Sequence, residues 1–346
     1  MDRGGDPQPA LLATLACDAR VGLAILRAPM HSVSWIPAGL RASITILAST
    51  LCLAAATNTV SEASGKSRLP CDPQAAKTVI ARPTRVAPKI DGVLEEAVWS
   101  QAVVSERFAD LVSGDRTRLD TRVRLLWDDT HLYVGYTVEE PKVRAQMTRH
   151  NDPIYYENDV ELFIAGDNAY YEFEINARNT VYEVFFIWES AYQSSGFAAR
   201  PEFARKNLQP FNGVGFTTHP RGPRLGHFDW RFPGLRTAVH VDGTLNDDSD
   251  TDRGWSVEIA LPWSGIRALF PEGKRTIPPR DGDLWAMDFS RFNTTKAPAP
   301  AKDSGGWALN PHGVWDSHIP ECFAQVRFIT ATGKPASPAK SGEKRP

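Results

Sequence analysis

Between Thr78 and Thr330 the chain breaks into short β-rich runs separated by turn clusters, a pattern that closes into an all-β sandwich or barrel. Arg122–Trp127, Asp128-Asp129 and His131–Val138 predict a hairpin. Asp159–Ile164, Tyr170–Asn176 and Val181–Trp188 follow closely and are rich in strand-favouring Val, Ile, Phe and Tyr. Thr237–Val241, Trp255–Leu261, Leu284–Phe292 and Ala324–Ile329 extend the series. Helical periods are scarce, and only Glu95–Ala102 and Trp263–Leu269 are expected as short helices. The expectation is a single antiparallel β-sandwich, jelly-roll or immunoglobulin-like, with long loops.

Alternation within the runs assigns their faces. In Asp159–Ile164, Val160, Leu162 and Ile164 fall on one side, with Asp159, Glu161 and Phe163 on the other. In Tyr170–Asn176, Tyr171, Phe173 and Ile175 oppose Tyr170, Glu172, Glu174 and Asn176. Neighbouring strands would then carry Glu161, Glu174 and Asn176 on one polar face over a buried apolar layer. A wet outer face accounts for any one of them; their coincidence beside aromatics marks a site. The stretch from Glu189 to Asp252 holds one clear strand, and irregular segments of that length serve a function or stay disordered.

Ala42 to Ala56 is a run of apolar and small residues behind Arg41. At about 15 residues it is short for a bilayer span, which takes about 20, and it suits the core of a cleaved signal peptide. A start at Met30 would give that leader an ordinary length. Residues 1–56 are therefore expected to be leader and signal peptide, 57–77 a linker, 78–330 the folded domain and 331–346 a disordered tail. The mature protein is expected to be secreted or periplasmic, with no stable membrane span. In an oxidising compartment Cys71 and Cys322 would pair and tie the ends of the domain together; two free thiols are the alternative. A net charge of -2 offers no basic footprint for nucleic acid.

No nucleophile elbow, zinc-protease helix motif or P-loop occurs. Asp159 and Glu161, side by side on one strand face, flank a scissile bond poorly and read as hydrogen-bonding groups. Sugar binding needs flat aromatics for the C–H faces of a pyranose and planar polar groups for its hydroxyls. Trp127, Trp255 and Trp285 lie in strands and belong to the core, whereas Tyr155, Tyr156, Trp307 and Trp315 lie in loop contexts. Asp248, Asp250 and Asp252 alternate in an acidic loop and offer oxygen ligands to calcium. That loop is no EF-hand, because Gly254 comes one place late, and a solvated acidic turn is the other reading.

Six motifs occur in order. They are Ile90-Asp91-Gly92-Val93-Leu94-Glu95-Glu96-Ala97-Val98-Trp99, Leu126-Trp127-Asp128-Asp129 leading into Leu132-Tyr133-Val134, Asn158-Asp159-Val160-Glu161-Leu162-Phe163, Tyr171-x-Phe173-x-Ile175-Asn176, Gly254-Trp255-x-Val257-Glu258-Ile259-Ala260-Leu261-Pro262-Trp263 and His318-x-Pro320-Glu321-x-Phe323. The series resembles carbohydrate-binding module family 9 and its relatives. The resemblance implies one β-sandwich of DOMON-like kind that binds carbohydrate without catalysis, in support of polysaccharide catabolism. It implies an aromatic clamp formed by Tyr155 and Trp307, an acidic sugar ligand at Glu161 and an amide at Asn176. Glu174 stands where the family pattern carries an arginine, so the hydrogen-bonding pattern differs, and Arg178 or Arg291 would supply the positive group. Some relatives hold structural calcium, which bears on the acidic loop. Two other readings remain: a haem-binding electron-transfer subunit, since related sandwiches hold haem, and a glycoside hydrolase or its accessory, since such modules ride on glycosidases.

Overall fold

A computed structural model of the chain describes residues 68–330 apart from 272, 274 and 296–302. The expected leader, signal peptide and tail lie outside the described residues, as does the linker up to residue 67. The first strands are β1 (Thr78–Pro83), β2 (Ala109–Asp110), β3 (Thr121–Trp127) and β4 (His131–Glu139). A meander follows, of β5 (Asp159–Ala165), β6 (Ala169–Asn176) and β7 (Val181–Trp188). The middle segment carries β8 (Gln209–Phe211), β9 (Arg224–His227) and β10 (Arg236–Asp242). The set is completed by β11 (Gly254–Pro262), β12 (Leu284–Phe292), β13 (Gly306–Ala308) and β14 (Ala324–Phe328).

The β3/β4 hairpin forms as its sequence predicts, and Asp128 makes the turn. Its Oδ1 accepts the backbone N–H groups of Thr130 and His131 at 2.7 and 2.8 Å, the local bonding that favours Asp at such corners. Of the two expected helices, Trp263–Leu269 is helical: α1 (Trp263–Ile266) runs into a 3-10 turn at Arg267–Leu269. Glu95–Ala102 shortens to a single 3-10 turn at Trp99–Gln101. Its Trp99 is wholly buried, and the indole donates to Glu258 Oε1 at 2.6 Å, so tertiary anchoring overrides the helical propensity.

Backbone pairing follows one path, β10-β11-β4-β3-β1-β14-β12-β5-β6-β7-β9-β8, with β13 and β2 branching from β12. β1 is the seam, pairing in parallel with both β14 and β3; the other ladders are antiparallel. The path doubles over there, so β4 faces β12 and β5 across the core. Tyr136 packs its ring 6.3 Å from Phe289 and donates its hydroxyl to the Glu161 carbonyl at 2.7 Å. The inward residues of β5–β7, Val160, Leu162, Tyr171, Phe173 and Phe185 among them, meet Val123, Val134, Val257 and Ile259 in one apolar core. The result is the expected all-β sandwich.

The Cys71–Cys322 disulfide forms, with Cα atoms 5.8 Å apart, inside the ordinary range. Lys77 N donates to Asn310 Oδ1 at 3.0 Å, so the residues just before β1 are docked on the domain.

One buried carboxyl gives the fold a testable pH dependence. Glu183 on β7 accepts from Phe232 N at 2.7 Å and stands 3.1 Å from His150 Nε2; burial pushes it from 4.5 to about 7. Between those values the native chain keeps a proton that the unfolded chain has lost, so this group's stabilisation, complete below 4.5, disappears as pH rises through about 7. Urea midpoints at pH 4.5 and pH 8 should show a wild-type decline that Glu183→Gln reduces by roughly 2–3 kcal/mol. Equal declines in both proteins would refute the assignment.

Candidate functional site

The meander is buried on both faces. Its second face would be the wet outside of the sandwich, but loops cover it. Ile154, Phe163, Tyr170, Val184, Phe186, Trp188 and Phe323 form a second apolar cluster there. Among these residues the polar face runs as a row, because the register places Ser290 of β12 opposite Glu161, Glu161 opposite Glu174, and Glu174 opposite Tyr182. The expected sharing of a face by Glu161, Glu174 and Asn176 is therefore met, but the face is covered, not wet.

Above the row lies a cavity of about 490 Å³, within the usual range for a small-ligand pocket. The turn Ile154–Tyr156 places Tyr155 and Tyr156 on one wall, 44% and 71% exposed. The loop after β13 supplies Trp315, 39% exposed, together with Asp316, Ser317 and His318. Phe211, Val214 and Phe228 come from the long middle segment, which thus covers the site. Asp316 binds these two loops together: Oδ2 accepts from Val214, Gly215 and Phe216 N at 2.9–3.0 Å, and Oδ1 from His318 N at 2.8 Å. Tyr155, Phe292 and Trp315 also border a second cavity of about 520 Å³ beside Arg118 and Asn293.

Electrostatically the floor is acidic. Burial raises the carboxyl of Glu161 to about 8, and burial with mutual repulsion holds Asp159, Glu172 and Glu174 well above the usual carboxylate range. Ser290 Oγ donates to Glu161 Oε2 at 2.8 Å. Nearby, His318 Nε2 stands 3.3 Å from Glu172 Oε1, and Nδ1 lies 3.2 Å from the Tyr170 hydroxyl. Burial keeps that imidazole neutral down to about pH 3.

Of the residues singled out in the sequence, Tyr155, Tyr156, Glu161, Glu174 and Trp315 meet at this cavity; Asn176, Arg178, Arg291 and Trp307 do not. Trp307 is fully buried, donates to Asp303 Oδ1 at 2.6 Å and lies between the guanidinium groups of Arg118 and Arg291 at 4.9 and 4.6 Å. It is a core tryptophan, and the loop tryptophan that shares the cavity lining with Tyr155 is Trp315. Arg291 is buried with its charge on Glu140 and Thr121. Asn176 spends its amide on Met147 O and Glu157 Oε1 and its oxygen on Arg178 N and Thr180 N. Arg178 caps the Ala145 carbonyl at 2.9 Å. None of these side chains lines the cavity.

The acidic loop is likewise engaged. Lys142 reaches the Asp248 and Asp250 carbonyls, Arg144 pairs with the Asp248 carboxylate, and Asp252 accepts from Val143 N and Thr244 N. Asp248, Asp250 and Asp252 do not converge to within 4.8 Å, so the calcium expectation there is corrected by the protein's own cations and amides. Among the described residues only Asp159, Glu161 and Glu174 converge that closely. Glu172, Tyr182, Asp316 and His318 were not singled out as site residues. His318 stood in the closing motif, but only the loop's path across the sheet brings it to β6.

The model of one family, described as carbohydrate family 9 binding domain-like, matches residues 90–209, from the Ile90 motif through β7 to the start of β8. That stretch of the chain is similar to the family. A stretch of 171 residues, 42% of the chain, is 25% identical to endo-1,4-beta-xylanase A of Thermotoga maritima and spans 15% of that protein. Among solved structures, a family 9 module from Caldicellulosiruptor kristjanssonii in complex with cellotriose aligns over 78% of this chain and 100% of its own, at 15% identity and a TM-score of 0.42. A putative carbohydrate-binding protein from Bacteroides uniformis aligns over 73% and 100%, at 14% identity and a TM-score of 0.46.

Proposed function

We propose that the chain binds a carbohydrate, without transforming it, in the cavity over β5–β7. The observation that carries this reading is the pairing of partly exposed rings, Tyr155, Tyr156 and Trp315, with a carboxyl floor in one cavity of ligand size. The rings offer flat apolar surfaces to sugar C–H faces, and Glu161 and Glu174 offer acceptors to hydroxyls. The family match over 90–209 supports the same class of ligand. The disulfide supports residence in an oxidising compartment, secreted or periplasmic.

The haem reading has less to stand on. Both ring nitrogens of His318 have partners within 3.3 Å, and Met287 lies wholly buried in the sandwich core. A hydrolase needs carboxyls placed on either side of a bond. Here Glu161 and Glu174 stand side by side on one floor, and Asp316 is taken up by four backbone donors.

A glycan array followed by calorimetry on the mature domain tests the proposal. Trp315→Ala should weaken saccharide binding at least tenfold, the equivalent of about 1.4 kcal/mol of lost stacking, with the near-UV spectrum of a folded chain retained. Saccharide binding unchanged in that variant, or absent in the wild type, would overturn it.

A further inference from the structure

We propose that Asp159, Glu161 and Glu174 bind one hard divalent cation, calcium foremost, at the floor of the cavity. One oxygen from each of the three carboxylates lies within 4.8 Å of those of the other two. Oxygens on opposite sides of a calcium ion, each at about 2.4 Å, stand about 4.8 Å apart, so these three fit a single coordination sphere. The set is all oxygen and all carboxylate, which selects calcium, magnesium or manganese over softer metals.

A second observation points to a missing partner. Asp159 and Glu174 are 0% and 2% exposed, and Asp159 Oδ2 and Glu174 Oε2 are buried with no hydrogen-bond donor. Buried carboxyl oxygens without a donor or counter-charge are costly, and folded proteins rarely leave them so. Among the described residues neither Lys nor Arg forms an ion pair with any of the three. The acidic loop at 248–252 shows the contrast, since Lys142 and Arg144 occupy it. A cation on the β5–β6 floor would supply the absent positive charge to all three oxygens at once.

The ion would also have coordination positions left over. Calcium takes six to eight oxygens, and Glu161 and Glu174 line the cavity, so the remaining positions open toward its contents. A pair of adjacent sugar hydroxyls can fill two of them. That second role rests on the carbohydrate reading; the binding of the ion does not.

The test therefore begins without sugar. The full mature chain, stripped with chelator, is titrated calorimetrically with CaCl2, and with Mn(II) followed by electron paramagnetic resonance. One site per chain with a dissociation constant below about 1 mM is expected. Glu174→Gln and Asp159→Asn, which keep side-chain volume and remove charge, should each weaken it at least tenfold, while Asp248→Asn leaves it unchanged. No binding at millimolar metal, or loss on Asp248→Asn with the two floor variants intact, would overturn the site. Near-UV circular dichroism of each variant separates loss of the ion from loss of the fold. Saccharide binding abolished by EDTA and restored by calcium would support the bridging role, and saccharide binding indifferent to EDTA would overturn that role alone.

Discussion

Glu258→Ala is expected to lower the unfolding free energy by about 3–5 kcal/mol, enough to leave a marginally stable domain largely unfolded. Glu258 is fully buried on β11, and all of its acceptor capacity is directed at one segment. Oε2 accepts the backbone N–H groups of Asp91 and Gly92 at 2.8 and 2.7 Å, and Oε1 accepts the Trp99 indole N–H at 2.6 Å. Removing the carboxylate strands three donors, of which the Gly92 N–H and the Trp99 indole are in buried bonds, and each orphaned buried donor costs about 1–3 kcal/mol. Glu258→Gln is a sharper probe, because an amide keeps one acceptor oxygen and turns an N–H pair toward the remaining donors. It should fall between wild type and alanine. The measurement is a urea midpoint followed by tryptophan fluorescence; an alanine variant within about 0.5 kcal/mol of wild type would remove Glu258 from its assigned role.

Opening Cys71–Cys322 is expected to cost about 2–5 kcal/mol. The bond joins residues 251 apart, so in the unfolded chain it closes a very long loop, and the chain-entropy effect grows with the logarithm of that length. It also lies at one end of the β1/β14 parallel ladder, which begins at Thr78↔Gln325. Reduction should therefore act locally as well as globally, speeding amide exchange in β1 before other strands respond. Urea titrations of Cys71→Ser/Cys322→Ser against wild type measure the first effect and hydrogen exchange the second. An unchanged midpoint would mean that the ends are held without the bond.

The strands were legible because alternation is a local property. Val160, Leu162 and Ile164 face the core as their spacing requires, and Asp128 announces its own turn. Most of the cavity lining was not legible, for the opposite reason. Trp307 and Trp315 sit in similar Gly- and His-flanked sequence, yet one is sealed between two arginines and the other opens on the cavity. What separates them is β13, a three-residue strand whose pairing with β12 and β2 depends on chain far away in sequence. Asn176 and Arg291 illustrate the same limit: polar residues next to a site resemble ligands until their partners are known. The motifs that carried the family resemblance are in large part structural. Gly92, with φ of +89°, brings its backbone so close to β10 that an added Cβ would stand 2.4 Å from the Val239 carbonyl carbon. The Ile90 motif is thus a clasp held by Glu258.

Two separate sheets stacked face to face would expose four edge strands, each a template on which another chain can add. Because β1 joins the two layers into one ribbon, the main path here ends only at β8 and β10. β8 is three residues long and contains Pro210, which cannot donate to an incoming strand. β10, seven residues long, is the more hospitable border, and it starts at Arg236 and ends at Asp242. The backbone of the Gly92 turn sits against its middle, at Val239 and His240. A chain that loses that clasp would loosen in β10 first, and self-association through this border is the form its misfolding would take.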